Sequence, residues 1–274
     1  MPEAPKTKIV EVGSGCFNLR APFKVLAGLV DVGTHMTFAR LTSGTFVALS
    51  TVALDEQAKA EVDALTNNGQ LLEAVIATNP FHTLAFEAFY AQFPDAKYYG
   101  TPRHIRNIPV IPWSGSIADV AVQSFWKEEG LELEVTAGCE FDAPMPESYN
   151  HFSGVVAFHR ETFCLTCGGA KDDCFSASPK KQCRFTTPAN TPKQYNEIAF
   201  HVSLYGPALY KTPDAPKQLY DWLKKIISLW PIENIATAHG GVQMGGAKRS
   251  FVEGVSKLRR FLSETAEKRG GSIR

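Results

Sequence analysis

The chain has 274 residues, 44% hydrophobic and 11% aromatic, enough to bury the core of one large α/β domain and too apolar for a disordered chain. Its 28 basic residues balance 28 acidic ones, so no overall field attracts a polyanion and no nucleic-acid partner is expected. Met1–Lys8 shows no apolar segment behind a basic start, and Lys24, Gly28 and Asp31 interrupt Phe23–Val32, so neither a secretory signal nor a membrane span is expected.

Met36–Leu41 and Thr45–Ser50 are rich in β-branched and aromatic residues, and Thr42-Ser43-Gly44 between them predicts a β-hairpin. Asp55 is placed to cap a helix whose apolar positions Ala58, Val62 and Leu65 repeat at helical spacing, with Asn67-Asn68-Gly69 to stop it. Glu73–Thr78 is a short apolar run of the kind that forms a buried strand. Phe86, Phe89, Tyr90 and Phe93 then mark one apolar helix face, ended by Pro94, and Lys97–Gly100 predicts another strand. This alternation of strand and helix points to a layered α/β fold.

From Gly100 to Ser116 three prolines and no clear period predict a surface loop. Leu131–Val135 alternates strictly, as a strand with one wet face does. Gly154–Phe158 and Thr162–Cys167 predict a second hairpin around His159-Arg160-Glu161. The polar segment 168–192 reads as a long loop or insertion. Leu219, Trp222, Leu223, Ile226 and Trp230 mark an amphipathic helix, Asn234–Ala238 a short strand, and Phe251, Val255, Leu258 and Leu262 a final helix. No repeat of fixed period occurs, so residues 1–274 are expected to form one domain.

Seven histidines are present. His82 follows the Glu73–Thr78 strand, His151 opens the second hairpin, and His239 ends the last strand before Gly240-Gly241. These are junctions where open α/β sheets place ligands. Taken singly, each reads as a hydrogen-bonded loop histidine; taken together, they suggest a shared metal site. His35, His104, His159 and His201 have no such context.

The order of pieces from His35 to Pro102 resembles the N-terminal half of a metallo-β-lactamase-fold domain: hairpin, helix, the strand Ala74–Thr78, then Phe93-Pro94-Asp95-Ala96-Lys97-Tyr98-Tyr99. His151-Phe152-Ser153-Gly154 resembles the His-Thr-Pro-Gly turn of that superfamily, and Ala238-His239-Gly240 its terminal strand and His-Gly. The resemblance covers roughly residues 35–262 and implies a four-layer αββα sandwich. It is nearest to a branch in which Asn-Pro and a nearby histidine stand where the metal motif is usual.

In the superfamily a His-x-His-x-Asp-His run supplies most ligands of a one- or two-metal site, where Zn²⁺ activates water. Here the same place reads Thr78-Asn79-Pro80-Phe81-His82-Thr83-Leu84, with one histidine and no aspartate. The bridging aspartate has given way to Leu165-Thr166-Cys167-Gly168-Gly169, where Cys167 could serve as a thiolate and Gly168 aligns about as well. The resemblance therefore implies at most one Zn or Fe ion on His82, His151, Cys167 and His239, or none.

Other signals compete. Six cysteines with no expected signal peptide are read as thiols, which fits a cytoplasmic address. Cys164, Cys167, Cys174 and Cys183 have the spacing C-x2-C-x6-C-x8-C, but strand alternation sends Cys164 and Cys167 to opposite faces, against both a zinc knuckle and a redox pair. The stretch His239–Ser250 has the glycines of a phosphate loop, yet Ala247 and Arg249 break the Gly-x4-Gly-Lys-Ser pattern. It reads as a strand–helix connection with some capacity for an anion near Lys248 and Arg249. No Gly-x-Ser-x-Gly elbow occurs. Two functions stay open: a metal-dependent hydrolase of a small ester, thioester or phosphate, and a non-catalytic member of the fold that binds a small molecule or a protein.

Overall fold

A computed structural model describes residues 8–25, 29–31, 33–142, 153–171, 198–200, 202–205, 208–239 and 241–273. Its first sheet has seven strands in the order β1-β2-β5-β6-β7-β8-β9. They are β1 (Val10–Gly13), β2 (Cys16–Ala21), β5 (Thr34–Arg40), β6 (Phe46–Leu49), β7 (Leu72–Ile76), β8 (Lys97–Gly100) and β9 (Trp113–Ser116). The two-residue strands β3 (Lys24–Val25) and β4 (Val30–Asp31) pair with each other. Helices α1 (Glu56–Thr66), α2 (Phe86–Gln92) and α3 (Pro102–Asn107) connect the parallel part, and α4 (Val120–Glu128) leads to the second sheet. That sheet contains β10 (Leu131–Val135), β11 (Val155–His159), β12 (Cys164–Lys171), β13 (Ala199–Phe200), β14 (Asn234–His239) and β15 (Val242–Met244), with α5 (Ala215–Leu229) and α6 (Ala247–Lys268) packed on it.

Period-2 alternation explains the layers. On β6, Phe46 and Ala48 face the core shared with Val62 of α1 and Phe89 of α2, while Val47 and Leu49 face the other sheet. On β7, Val75 joins the first group, and Ala74 and Ile76 the second. Both faces of these strands are covered, which is why their sequences read as unbroken apolar runs. On the second sheet, Val155 and Ala157 of β11 point inward, and Phe158 packs outward against Trp230 beyond α5. The result is a four-layer αββα sandwich.

The expected hairpin forms between β5 and β6, with Gly44 at φ 88° in its turn. Asp55 caps α1 by accepting from the Ala58 amide at 2.7 Å, and Asn67 closes that helix in the left-handed region. Leu131 and Leu133 of β10 are buried, while Glu132 and Glu134 on its wet face meet Arg160 and Lys225. The α5 and α6 stripes are core, as their spacing predicts.

The structure corrects the reading of 100–116 as a loop. Pro102 occupies the first turn of α3, where a missing N–H removes no helical bond, and Thr101 caps the helix by accepting from the His104 amide. Strand β9 follows. Strands β1 and β2 and helix α4 are absent from the sequence reading for a related reason. The inward face of β2 carries Asn18 and Arg20, so its pattern is the reverse of an ordinary amphipathic strand, and α4 buries Trp126 alone among its large side chains. The 174 and 183 cysteines and most of the 168–192 segment lie outside the described residues. No helix among the described residues is long and apolar enough to cross a membrane.

Thr101 has two tasks, capping α3 and donating its hydroxyl to His104 Nδ1 at 2.8 Å. Thr101→Val should therefore destabilise the protein by about 1–2 kcal/mol. Urea denaturation measures this, and an unchanged midpoint would show that α3 is held by packing alone.

Candidate functional site

Strand β7 is followed by Thr78-Asn79-Pro80, all three buried. The Thr78 carbonyl accepts from the Val155 amide of the opposite sheet at 2.6 Å. Asn79 Oδ1 accepts from the Phe81 amide at 2.9 Å, and its carbonyl from the His82 amide at 3.1 Å. The segment is thus a self-closed turn that delivers His82, half-buried, beyond the strand end. Gly154 makes this crossing possible, since a Cβ there would lie 2.7 Å from the Thr78 carbonyl oxygen. That contact gives a physical reason for the glycine after His151-Phe152-Ser153.

Strand β14 brings His239 to the same place from the second sheet. The rings of His82 and His239 meet edge to face with centroids 5.2 Å apart. His239 Nδ1 lies 2.7 Å from the Gly33 carbonyl, which only accepts, so Nδ1 carries a proton. Thr237 donates its hydroxyl to the His239 carbonyl at 2.7 Å. Arg20 reaches across from β2 and donates through Nη1 to the carbonyls of Thr237 at 3.1 Å and Gly241 at 3.5 Å.

His35 sits beside this cluster, which its sequence context did not suggest. It is the register partner of Arg20 on the neighbouring strand. The Asn18 amide nitrogen donates to His35 Nδ1 at 3.0 Å and to Thr37 Oγ1 at 3.0 Å. Burial holds the His35 imidazole well below the usual histidine range, and the charges of Arg20 and His239 lower it further. The signal was present in the sequence. Asn18 and Arg20 on one strand, and His35 and Thr37 on the next, are polar residues at alternate positions, and all four point between the sheets.

The other sequence candidates divide. Cys167 is an interior residue of β12, its backbone paired with Val156 and with Thr237 of β14; nothing of its side chain is described. His151 and His201 lie outside the described residues. His104 and His159 are buried in the structure's interior, bonded to Thr101 and Thr162. Among the described residues no group of three or more His, Cys, Asp or Glu is arranged to hold a metal. The glycine-rich stretch is a strand and not a phosphate loop. Val242–Met244 pairs with β14, and the first amides of α6, Ala247 and Lys248, donate to the carbonyls of Glu233 and Ile232. Those amides are spent, so no anion cradle exists at that helix start.

This arrangement can be set beside known proteins. No protein-family model matches the chain, and no curated protein matches it. Solved structures do. The metallo-β-lactamase of Erythrobacter litoralis with β-mercaptoethanol in its active site aligns over 93% of this chain and 99% of its own, at TM-score 0.58 and 10% identity. That of Hirschia baltica aligns over 93% and 98%, at TM-score 0.55 and 13% identity. FIM-1 from Pseudomonas aeruginosa, in a mono-zinc form, aligns over 94% and 98%, at TM-score 0.54 and 12% identity.

The chain has the metallo-β-lactamase fold. In that fold His82 and His239 stand at the adjoining strand ends of the two sheets. The Gly33 carbonyl fixes the orientation of the His239 ring by accepting from its Nδ1.

Two predictions follow from the geometry. Burial lowers the pKa of His104 from 6.5 to about 4, and those of His35 and His159 also fall. Their unfolded forms bind more protons below pH 6.5, so their contribution is complete above that value and is lost as pH falls through the folded pKa. His104 alone accounts for on the order of 3 kcal/mol between pH 6.5 and 4. Denaturant midpoints measured across that window should fall steeply for the parent and less steeply for His104→Gln; parallel curves would refute the assignment. Separately, Gly154→Ala should cost about 1–3 kcal/mol by forcing β11 away from Thr78. A crystal structure of a stable Gly154→Ala variant with the 78–155 hydrogen bond intact would contradict this.

Proposed function

We propose that the protein is a divergent metallo-β-lactamase-fold protein of unknown substrate whose metal site is reduced to at most one ion or absent. The observation that carries this reading is the turn after β7. Where the superfamily projects imidazoles and a carboxylate, Asn79 spends its side-chain oxygen on the Phe81 amide inside a buried Thr78–Pro80 segment. His82 and His239 remain, with His151 and Cys167 as further donors from the sequence. That set is too small for two ions with their usual ligands.

Elemental analysis of protein purified without added metal tests this. The expected content is no more than one ion per chain, lost in both His82→Ala and His239→Ala. Two or more ions per chain would overturn the reading. Metal that survives both substitutions and disappears in Cys174→Ser would assign it to the cysteine segment instead.

A second reading, a mononuclear hydrolase of a small ester, thioester or phosphate, is favoured by the fixed tautomer of His239. Zn²⁺ or Fe²⁺ held there would supply Lewis-acid polarisation of a substrate oxygen. The chain's own contribution is to hold the two imidazoles together at the meeting of the sheets. Turnover of such substrates that requires the single ion would support this second reading, and a metal-free parent would end it while leaving the first intact.

A further inference from the structure

We propose that Arg20 is a positioning residue for His239, holding from the first sheet the turn of the second sheet on which that imidazole stands. Five contacts make the device. Arg20 Nη1 donates to the Thr237 carbonyl at 3.1 Å and to the Gly241 carbonyl at 3.5 Å, so one nitrogen grips both sides of the turn. Inside the turn, Thr237 Oγ1 lies 2.7 Å from the His239 carbonyl and 3.0 Å from that of Gly241. The ring itself is fixed by Gly33, one residue before β5, which pairs with the strand that carries Arg20. The backbone of His239 is therefore set by Arg20 through Thr237, and its ring by a carbonyl on the same sheet as Arg20.

These contacts span more than 200 positions of sequence. They are buried, Arg20 being 2% and Thr237 3% exposed, so they are not loosened by competition with water. A flexible turn after β14 would let the His239 ring rotate away from Gly33 and lose its contact with His82. A single nitrogen, Nη1, holds both carbonyls, and the length of the arginine side chain carries it across the gap between the sheets.

The proposal deepens the reading of His82 and His239 as the remaining site, and its test has one arm that does not need a metal. In metal-free protein, the ¹⁵N shifts of His239 at constant pH 7.5 should show a single Nδ1–H tautomer. In Arg20→Met they should show a mixture, with partial recovery in Arg20→Lys. In the second arm, Zn²⁺ affinity measured against a chromophoric chelator should fall at least about tenfold in Arg20→Met. If the parent binds no Zn²⁺, the metal reading fails but the tautomer arm still decides the positioning role. If Arg20→Met does not fold, Thr237→Val cuts the same chain of contacts one residue later and should give the same tautomer mixture. Folded Arg20→Met or Thr237→Val with the parental His239 signature would overturn the proposal.

Discussion

A guanidinium buried between two β-sheets is tolerated only where acceptors are waiting for it, because an unsatisfied buried charge would exceed the net stability of an ordinary domain. Arg20 reaches through Nη1 from the first sheet to backbone carbonyls at the end of β14 in the second. The two sheets are consequently joined at one edge by directional bonds and not only by apolar contact. Directional bonds fix register. A shift of one residue along β14 would turn Thr237 and His239 to the other face and abolish the acceptors and the imidazole together.

The inter-sheet space is therefore divided. Towards β8, β9 and β10 it is apolar, filled by Leu49, Ile76, Val155 and Leu133 and closed by Trp126 against Tyr99. Towards β2, β5 and β14 it is polar, with Asn18, Arg20, His35, Thr37, Thr237 and His239 all buried. The apolar half can be assembled in several ways of equal quality, since hydrophobic burial is not directional. The polar half admits one arrangement. Packing supplies the affinity of one sheet for the other, and the polar half determines how they meet. His82 and His239 stand at the margin of that polar half.

How much of this was legible from the chain depends on which force shaped each piece. Where burial alone decided, as in β6, β7, α5 and α6, periodicity predicted the element and its face. Asp55 and Asn67 were equally legible because capping is local chemistry. Legibility failed where a polar residue was turned inward or a breaker was used constructively. Pro102 looked like a loop residue because its helix-starting role depends on its exact place in the first turn. Asn18 and Arg20 hid β2 because the sequence pattern assumes polar residues face water. The candidate site was half legible. His82 and His239 were found at strand junctions and do meet, while His35 and Arg20 were missed, since their partners lie on strands far apart in sequence.

The histidines show why residue type alone misleads. His104 and His159 lack the strand-junction context of His239, and each is consumed by a neighbouring threonine, with burial lowering the pKa of both. What separates His239 is the tautomer. His104 Nε2 faces the His82 carbonyl at 3.3 Å and its Nδ1 takes the Thr101 hydroxyl, so both nitrogens are committed to the fold. His239 commits Nδ1 to Gly33 and meets the edge of a second imidazole. The His104 bond to the His82 backbone also ties the two kinds of histidine together: a core imidazole in α3 helps to place the loop that carries a site imidazole. The loop that carries His82 and the turn that carries His239 are thus held by the interior, so that the placement of both imidazoles and the stability of the fold are set by the same bonds.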